Sequence, residues 1–157
     1  MNQSVHKNTE LHAIGLHRKD EVEISNIIDY FSKLPDYHHA GAIACFLGVV
    51  REDPVSGSCD RVMHLEYEAY ADVALKKMEE IRQAMRNYAG IIEISIHHVI
   101  DRLGVGEPSL FVAVLGTHRQ EVFPTLTETV ERVKKEVPIW KKEFTSKDSY
   151  WVSAEHM

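Results

Sequence analysis

Cysteine is scarce in this sequence. Two cysteines, Cys45 and Cys59, occur among 157 residues, and neither has a CxxC neighbour. Zinc and redox motifs built on cysteine pairs are therefore absent, and a reducing cytoplasm is the natural compartment. Long apolar runs are also lacking. The longest, residues 41–50, falls well short of the ~18 residues a membrane helix needs, so it reads as a buried strand. The N-terminal stretch MNQSVHKNTELH has no apolar h-region, so no secretory signal is expected. No repeat or low-complexity segment occurs. An acidic balance and the lack of interleaved exposed aromatics argue against nucleic-acid binding.

What is present is ordinary for a globular protein: 44% hydrophobic and 27% charged residues. The length suits one domain over residues 1–157, burying roughly 70% of its unfolded surface. The net charge of −6 is unevenly spread. Residues 132–147 hold six basic side chains (Arg132, Lys134, Lys135, Lys141, Lys142, Lys147) against Glu136 and Glu143. That segment is +4, leaving −10 on the rest. A cationic island on an acidic chain is a candidate anion site, although lysines also suit a solvated helix C-terminus.

Periodicity predicts a short first strand over 9–18, then a helix over 21–34 with Val22, Ile24, Ile27, Ile28, Phe31 and Leu34 at helical spacing. Residues 41–50 are apolar on both faces, as in a central strand. A polar loop follows, then an aromatic strand over 62–70 and a helix over 72–88. Strands over 91–100 and 109–115 flank the turn RLGVGEP. A third helix spans 121–137, with Pro124 in its first turn. A terminal hairpin joins 139–144 to 150–153. The fold class is α+β, with antiparallel strands and about three helices.

The third helix carries a geometric test. At 100° per residue, Val122, Leu126, Val130, Val133 and Val137 form one apolar stripe. Lys135 lies about 180° from its centre and faces solvent, whereas Lys134 lies about 80° away, at the border. A border lysine can run its stem along the core and place its ammonium in a cleft. Pro138 turns the chain into IWKKEF, where strand alternation lets only one of Lys141 and Lys142 share that cleft. Two neighbouring lysines make each other costlier to charge, and a lysine so tuned can donate or accept a proton.

His118 and Arg119 sit at a strand-to-helix junction, where helix N–H groups face an anion and arginine adds bidentate phosphate recognition. Each could equally pack or cap. Arg51, at the end of the apolar run, opens a loop as a binding or merely solvated cation. The pairs His38-His39 and His97-His98 suggest metal ligands, but adjacent strand residues face opposite ways and no third ligand is spaced to join them, so no metal is expected.

These residues assemble into a family pattern. GAIACFLGVVRE, LEYEAY, GVGEPSLFVAV, THRQEVF, VKKEVPIWKKE and YWV occur in order over residues 41–152. The chain resembles the large subunit of molybdopterin synthase, the MoaE type. The resemblance implies an α/β-hammerhead fold, no cofactor, and cyclic pyranopterin monophosphate as substrate. It implies a small ubiquitin-like partner whose C-terminal glycine thiocarboxylate threads into a pocket and supplies two sulfurs in turn. It also implies a large-subunit homodimer with a small subunit at each end. The family's two active-site lysines match Lys134 and Lys141; its substrate-binding arginine matches Arg51, and its His-Arg pair matches His118 and Arg119. Where the family commonly reads His-Arg-x-Gly, this chain has His98, Val99, Ile100 and Asp101, and its tail stops soon after YWV. The competing expectation is a non-catalytic module that binds a ubiquitin-like tail or phosphorylated ligand through the same cations. Arginine would serve such a module at both lysine positions; it would not serve an enzyme.

Overall fold

The computed structural model describes residues 11–54 and 60–152. Cys59, the tip of its loop and the tail after Val152 lie outside the described residues. In chain order the elements are β1 (Ile14–His17), α1 (Ile24–Ser32), a 3₁₀ turn (Pro35–His39), β2 (Ala42–Val49), β3 (His64–Ala69), α2 (Ala71–Arg86), β4 (Ile91–Val99), β5 (Arg102–Gly104), β6 (Pro108–Gly116), α3 (Arg119–Glu136), β7 (Ile139–Phe144) and β8 (Ser149–Val152). The expected α+β class and its three helices are present. Among the described residues, no helix is long and apolar enough to cross a membrane.

The strands form two sheets of four, ordered β1-β4-β6-β2 and β5-β3-β7-β8. All pairings are antiparallel except β1 with β4. The first sheet is covered on both faces. Ile94, Ile96, Val112 and Val114 point to one side, against Met78, Ile81 and Met85 of α2 and Val130 and Val133 of α3. Phe111, Ala113 and Leu115 point to the other, against Ile27 and Phe31 of α1. Double burial explains why β4 and β6 read as nearly unbroken apolar runs.

The strand expected to be central, residues 41–50, is instead an edge strand. β2 pairs only with β6, and its burial alternates. Ala44 joins the helix-side core, while Leu47 and Val49 are 43% and 49% exposed. Its outward apolar positions face a cavity rather than a second neighbour. One strand was missed and one helix start was misplaced. β5 is three residues inside RLGVGEP, too short for alternation to show. α3 begins two residues before its expected start, so Pro124 sits in the second turn rather than the first.

Two buried polar groups constrain this arrangement. Glu93 on β4, 4% exposed, accepts Arg82 Nε–H at 2.9 Å and Nη2–H at 2.7 Å, with Arg86 Nε at 3.3 Å. This bidentate pair locks α2 onto β4. Removing the carboxylate leaves a nearly buried guanidinium with Glu79, 2.8 Å from Nη1, as its remaining anionic partner, so Glu93→Ala should cost about 3 kcal/mol in urea unfolding, the low end for breaking a buried pair; a loss below about 1 kcal/mol would show the pair to be dispensable.

His97 is fully buried, with Nδ1 2.9 Å from His17 Nε2 and Nε2 2.8 Å from Ser95 Oγ. Burial, and secondarily the neighbouring His17, lowers its pKa to about 3; burial lowers that of His98 to about 4. Below pH 6.5 the unfolded chain takes up protons that these folded imidazoles refuse, so stability falls as pH falls. Between pH 7 and pH 5 the two should remove about 4 kcal/mol from the unfolding free energy. A stability that stays flat over that range would contradict their burial as neutral rings.

Candidate active site

Between the two sheets, beside the C-terminal end of α3, lies an open cavity of about 1160 Å³. Its walls are the end of β2 and the residues after it, the inner face of β3, the start of β6, the last turns of α3, one face of β7, and β8. Strand alternation decides what lines it. Leu65 and Tyr67 of β3, with Ile139, Lys141 and Glu143 of β7, face inward. Lys142 lies on the opposite face, 5.2 Å from the centroid of Phe144 and 5.5 Å from that of Trp151.

Lys134 reaches the same cavity from the border of the helical stripe, its ammonium 5.8 Å from the centroid of Phe46. Lys135 is exposed and does not line the cavity. The antiparallel register places Lys141 opposite Tyr67 on β3 and Val152 on β8. Its side chain is only 14% exposed and pairs with Glu143 at 3.2 Å. Arg51 lines the mouth, well exposed and 3.0 Å from Asp53. Three cations thus converge on one cavity against two carboxylates, a balance that suits an anionic ligand.

His118 and Arg119 are not among the described residues that line the cavity. His118 is the N-cap of α3 and Arg119 its first residue. Fifteen residues of helix, at 1.5 Å each, put Arg119 about 22 Å from Lys134 along the axis. Both side chains are exposed, and neither has a hydrogen-bond or ion-pair partner among the described residues. Gly116 shapes this junction, since a Cβ there would lie 2.6 Å from Val122 and 2.7 Å from the Gly90 carbonyl. Three of the five expected site residues therefore share one cavity, and two stand at the opposite end of α3.

Sequence reasoning missed several groups in the wall. Glu143 was legible, because period-two alternation puts it on the same face as Lys141. Tyr67 lies in the LEYEAY motif but was given no role; burial pushes its phenol pKa up, partly offset by the Ser109 hydroxyl. His98 was weighed as a metal ligand beside His97 and as the start of the stretch that departs from His-Arg-x-Gly, not as a site residue, yet near the end of β4 it lines the cavity. No group of three or more His, Cys, Asp or Glu that could hold a metal occurs among the described residues. Lysines that can move protons, beside a mouth that takes an anion, are suited to chemistry on an anionic substrate.

Comparison with known proteins agrees with this geometry. Residues 17–136 match the MoaE protein family. A molybdopterin synthase catalytic subunit of Pyrococcus abyssi is 36% identical over 73% of this chain and 76% of its own length. A probable molybdopterin synthase of Haloferax volcanii is 36% identical over 83% of the chain, which spans 50% of that longer protein. The crystal structure of molybdopterin synthase from Staphylococcus aureus superposes with a TM-score of 0.78 at 28% identity, covering 91% of this chain and 98% of that one. With the family matched across most of its length and the fold shared with a solved synthase, the chain belongs to the MoaE family, that of the molybdopterin synthase catalytic subunits.

Proposed function

We propose that the chain transfers sulfur from the C-terminal thiocarboxylate of a small ubiquitin-like subunit to cyclic pyranopterin monophosphate, building the dithiolene of molybdopterin. The observation that carries this reading is the convergence of Lys134 and Lys141 on one cavity, with Lys135 and Lys142 turned away. Replacing oxygen by sulfur requires protons for the departing oxygens, and a lysine ammonium can deliver them. Arg51 at the mouth supplies charge for a phosphate or for the incoming tail. A threaded tail fits a cavity open at one side, a recognised mode of terminal carboxylate capture. The cytoplasm is the compartment that suits a thiocarboxylate carrier.

Lys134→Ala and Lys141→Ala are each expected to lose activity by ~10²–10⁴-fold while still binding the small subunit. Lys135→Ala and Lys142→Ala should remain near wild type. The check is single-turnover molybdopterin formation with thiocarboxylated small subunit and the cyclic precursor. Lys141→Arg separates catalysis from binding, because guanidinium cannot surrender a proton near neutral pH. Full activity of Lys141→Arg would support the non-catalytic reading of that position.

The proposed assembly is a homodimer with a small subunit on each protomer. It also gives His118 and Arg119 a role in substrate binding, since one copy's helix start can serve the other copy's cavity. Two inactive chains test this. In a mixed dimer of Lys141→Ala with Arg119→Ala, one cavity would regain both an intact Lys141 and an intact Arg119, and activity should return on mixing. A mixture as inactive as its components would place Arg119 at its own chain's cavity or outside the site.

A further inference from the structure

The floor of the cavity holds an acceptor that the sulfur-transfer chemistry does not use. His98 is 7% exposed and closes the end of β4, opposite Leu110 of β6. Its Nδ1 lies 2.9 Å from the Val99 carbonyl oxygen. A carbonyl only accepts, so Nδ1 carries the proton and Nε2 is left with a lone pair. Nε2 has no partner among the described residues. Nor is it sealed: the unpartnered polar side-chain atoms without solvent access there are His64 Nε2 and Glu121 Oε2. His98 is one of the residues that line the cavity, and Nε2 is its ring nitrogen without a partner among the described residues. A ring nitrogen left unpaired at a cavity wall is a place for a ligand group to pair.

We propose that His98 is a specificity-determining residue, its Nε2 accepting a hydrogen bond from a ring N–H or amino group of the substrate's nitrogen heterocycle. The inference rests on the reading of the cavity as the pterin site. The surroundings favour acceptance over donation. The ring of Tyr67 stands edge-on to His98 at 5.0 Å between centroids, and Tyr67 is paired across the strands with Lys141. Of the titratable groups that share the cavity, Tyr67 touches His98, and Lys141, beside Tyr67 in the ladder, is paired with Glu143. Burial keeps the imidazole neutral, with a pKa lowered to about 4, so Nε2 stays unprotonated at neutral pH. The cavity thus offers two kinds of group. Cations at Arg51, Lys134 and Lys141 suit the anionic part of a ligand, and the lone pair of His98 suits an N–H. A phosphorylated heterocycle lacking that N–H would leave the floor unpaired, and sites built to pair a polar group reject analogues that lack it.

The test is steady-state kinetics with thiocarboxylated small subunit and cyclic pyranopterin monophosphate. His98→Phe keeps an aromatic ring against Tyr67 and removes the acceptor. It should raise the substrate KM about tenfold, the scale of one neutral hydrogen bond, with kcat changed less. His98→Gln, which can present a carbonyl oxygen, should recover part of the loss. A purely structural role would not give that split or that rescue. Since His98→Phe can fail to fold, the wild-type ring is also observed directly by ¹⁵N NMR. Adding substrate without the small subunit should shift the His98 Nε2 resonance upfield while Nδ1 stays protonated. An unchanged KM in a folded His98→Phe chain, or an Nε2 resonance indifferent to saturating substrate, overturns the proposal. If wild-type protein makes no molybdopterin at all, the reading of the site has failed instead.

Discussion

The register of β7 on β3 is the constraint on which the site depends. Tyr67 faces Lys141 across the ladder, and Glu66 faces Lys142. Because side chains alternate along a strand, a slip of one residue would turn Lys141 outward and bring Lys142 into the cavity. Three features hold the register. Pro138 ends α3 and fixes where β7 begins. Ile139 is buried and anchors the inward face. On the outward face, Lys142 lies against Phe144 and Trp151, and Trp140 meets Tyr70 edge-on at 5.1 Å. Aromatic contacts on the outer side and apolar burial on the inner side therefore select the same pairing.

The first sheet plays a different part. Its two central strands are buried on both sides, which gives the site a rigid back wall but forces polar side chains into the interior. Each is satisfied differently. Glu93 takes a bidentate guanidinium, and His97 bridges Ser95 and His17. His98 satisfies one nitrogen with a backbone carbonyl and leaves the other toward the cavity. The same burial that makes the sheet stable near neutrality makes it sensitive to acid. Structure and site meet at β4, where adjacent histidines serve opposite faces.

Much of this was legible in the sequence because periodicity is a local property. The stripe Val122, Leu126, Val130, Val133 and Val137 places Lys134 at its border, and alternation alone puts Lys141 and Lys142 on opposite faces. What escaped was non-local. Nothing in 41–50 distinguishes a doubly buried strand from an edge strand whose apolar residues face a cavity, since both read as a continuous apolar run. β5 is too short to carry a period. His118 and Arg119 sit at a junction that suits anion binding, but their distance from Lys134 depends on the length of α3 and on where the cavity opens. Alternation along β4 rules out a metal shared by His97 and His98, but it does not show that the face carrying His98 ends at a cavity.

The central claim is that Lys134 and Lys141 share the cavity that receives the partner's tail. It is tested most directly by chemical capture, with a small subunit whose C-terminal glycine is activated as an ester. Once bound, such a tail acylates whichever amine lies against its terminus, and peptide mapping identifies the lysine. The expected result is an amide at Lys134 or Lys141, with Lys135 and Lys142 unmodified. Acylation at Lys135 or Lys142, or spread evenly over surface lysines, would contradict the claim.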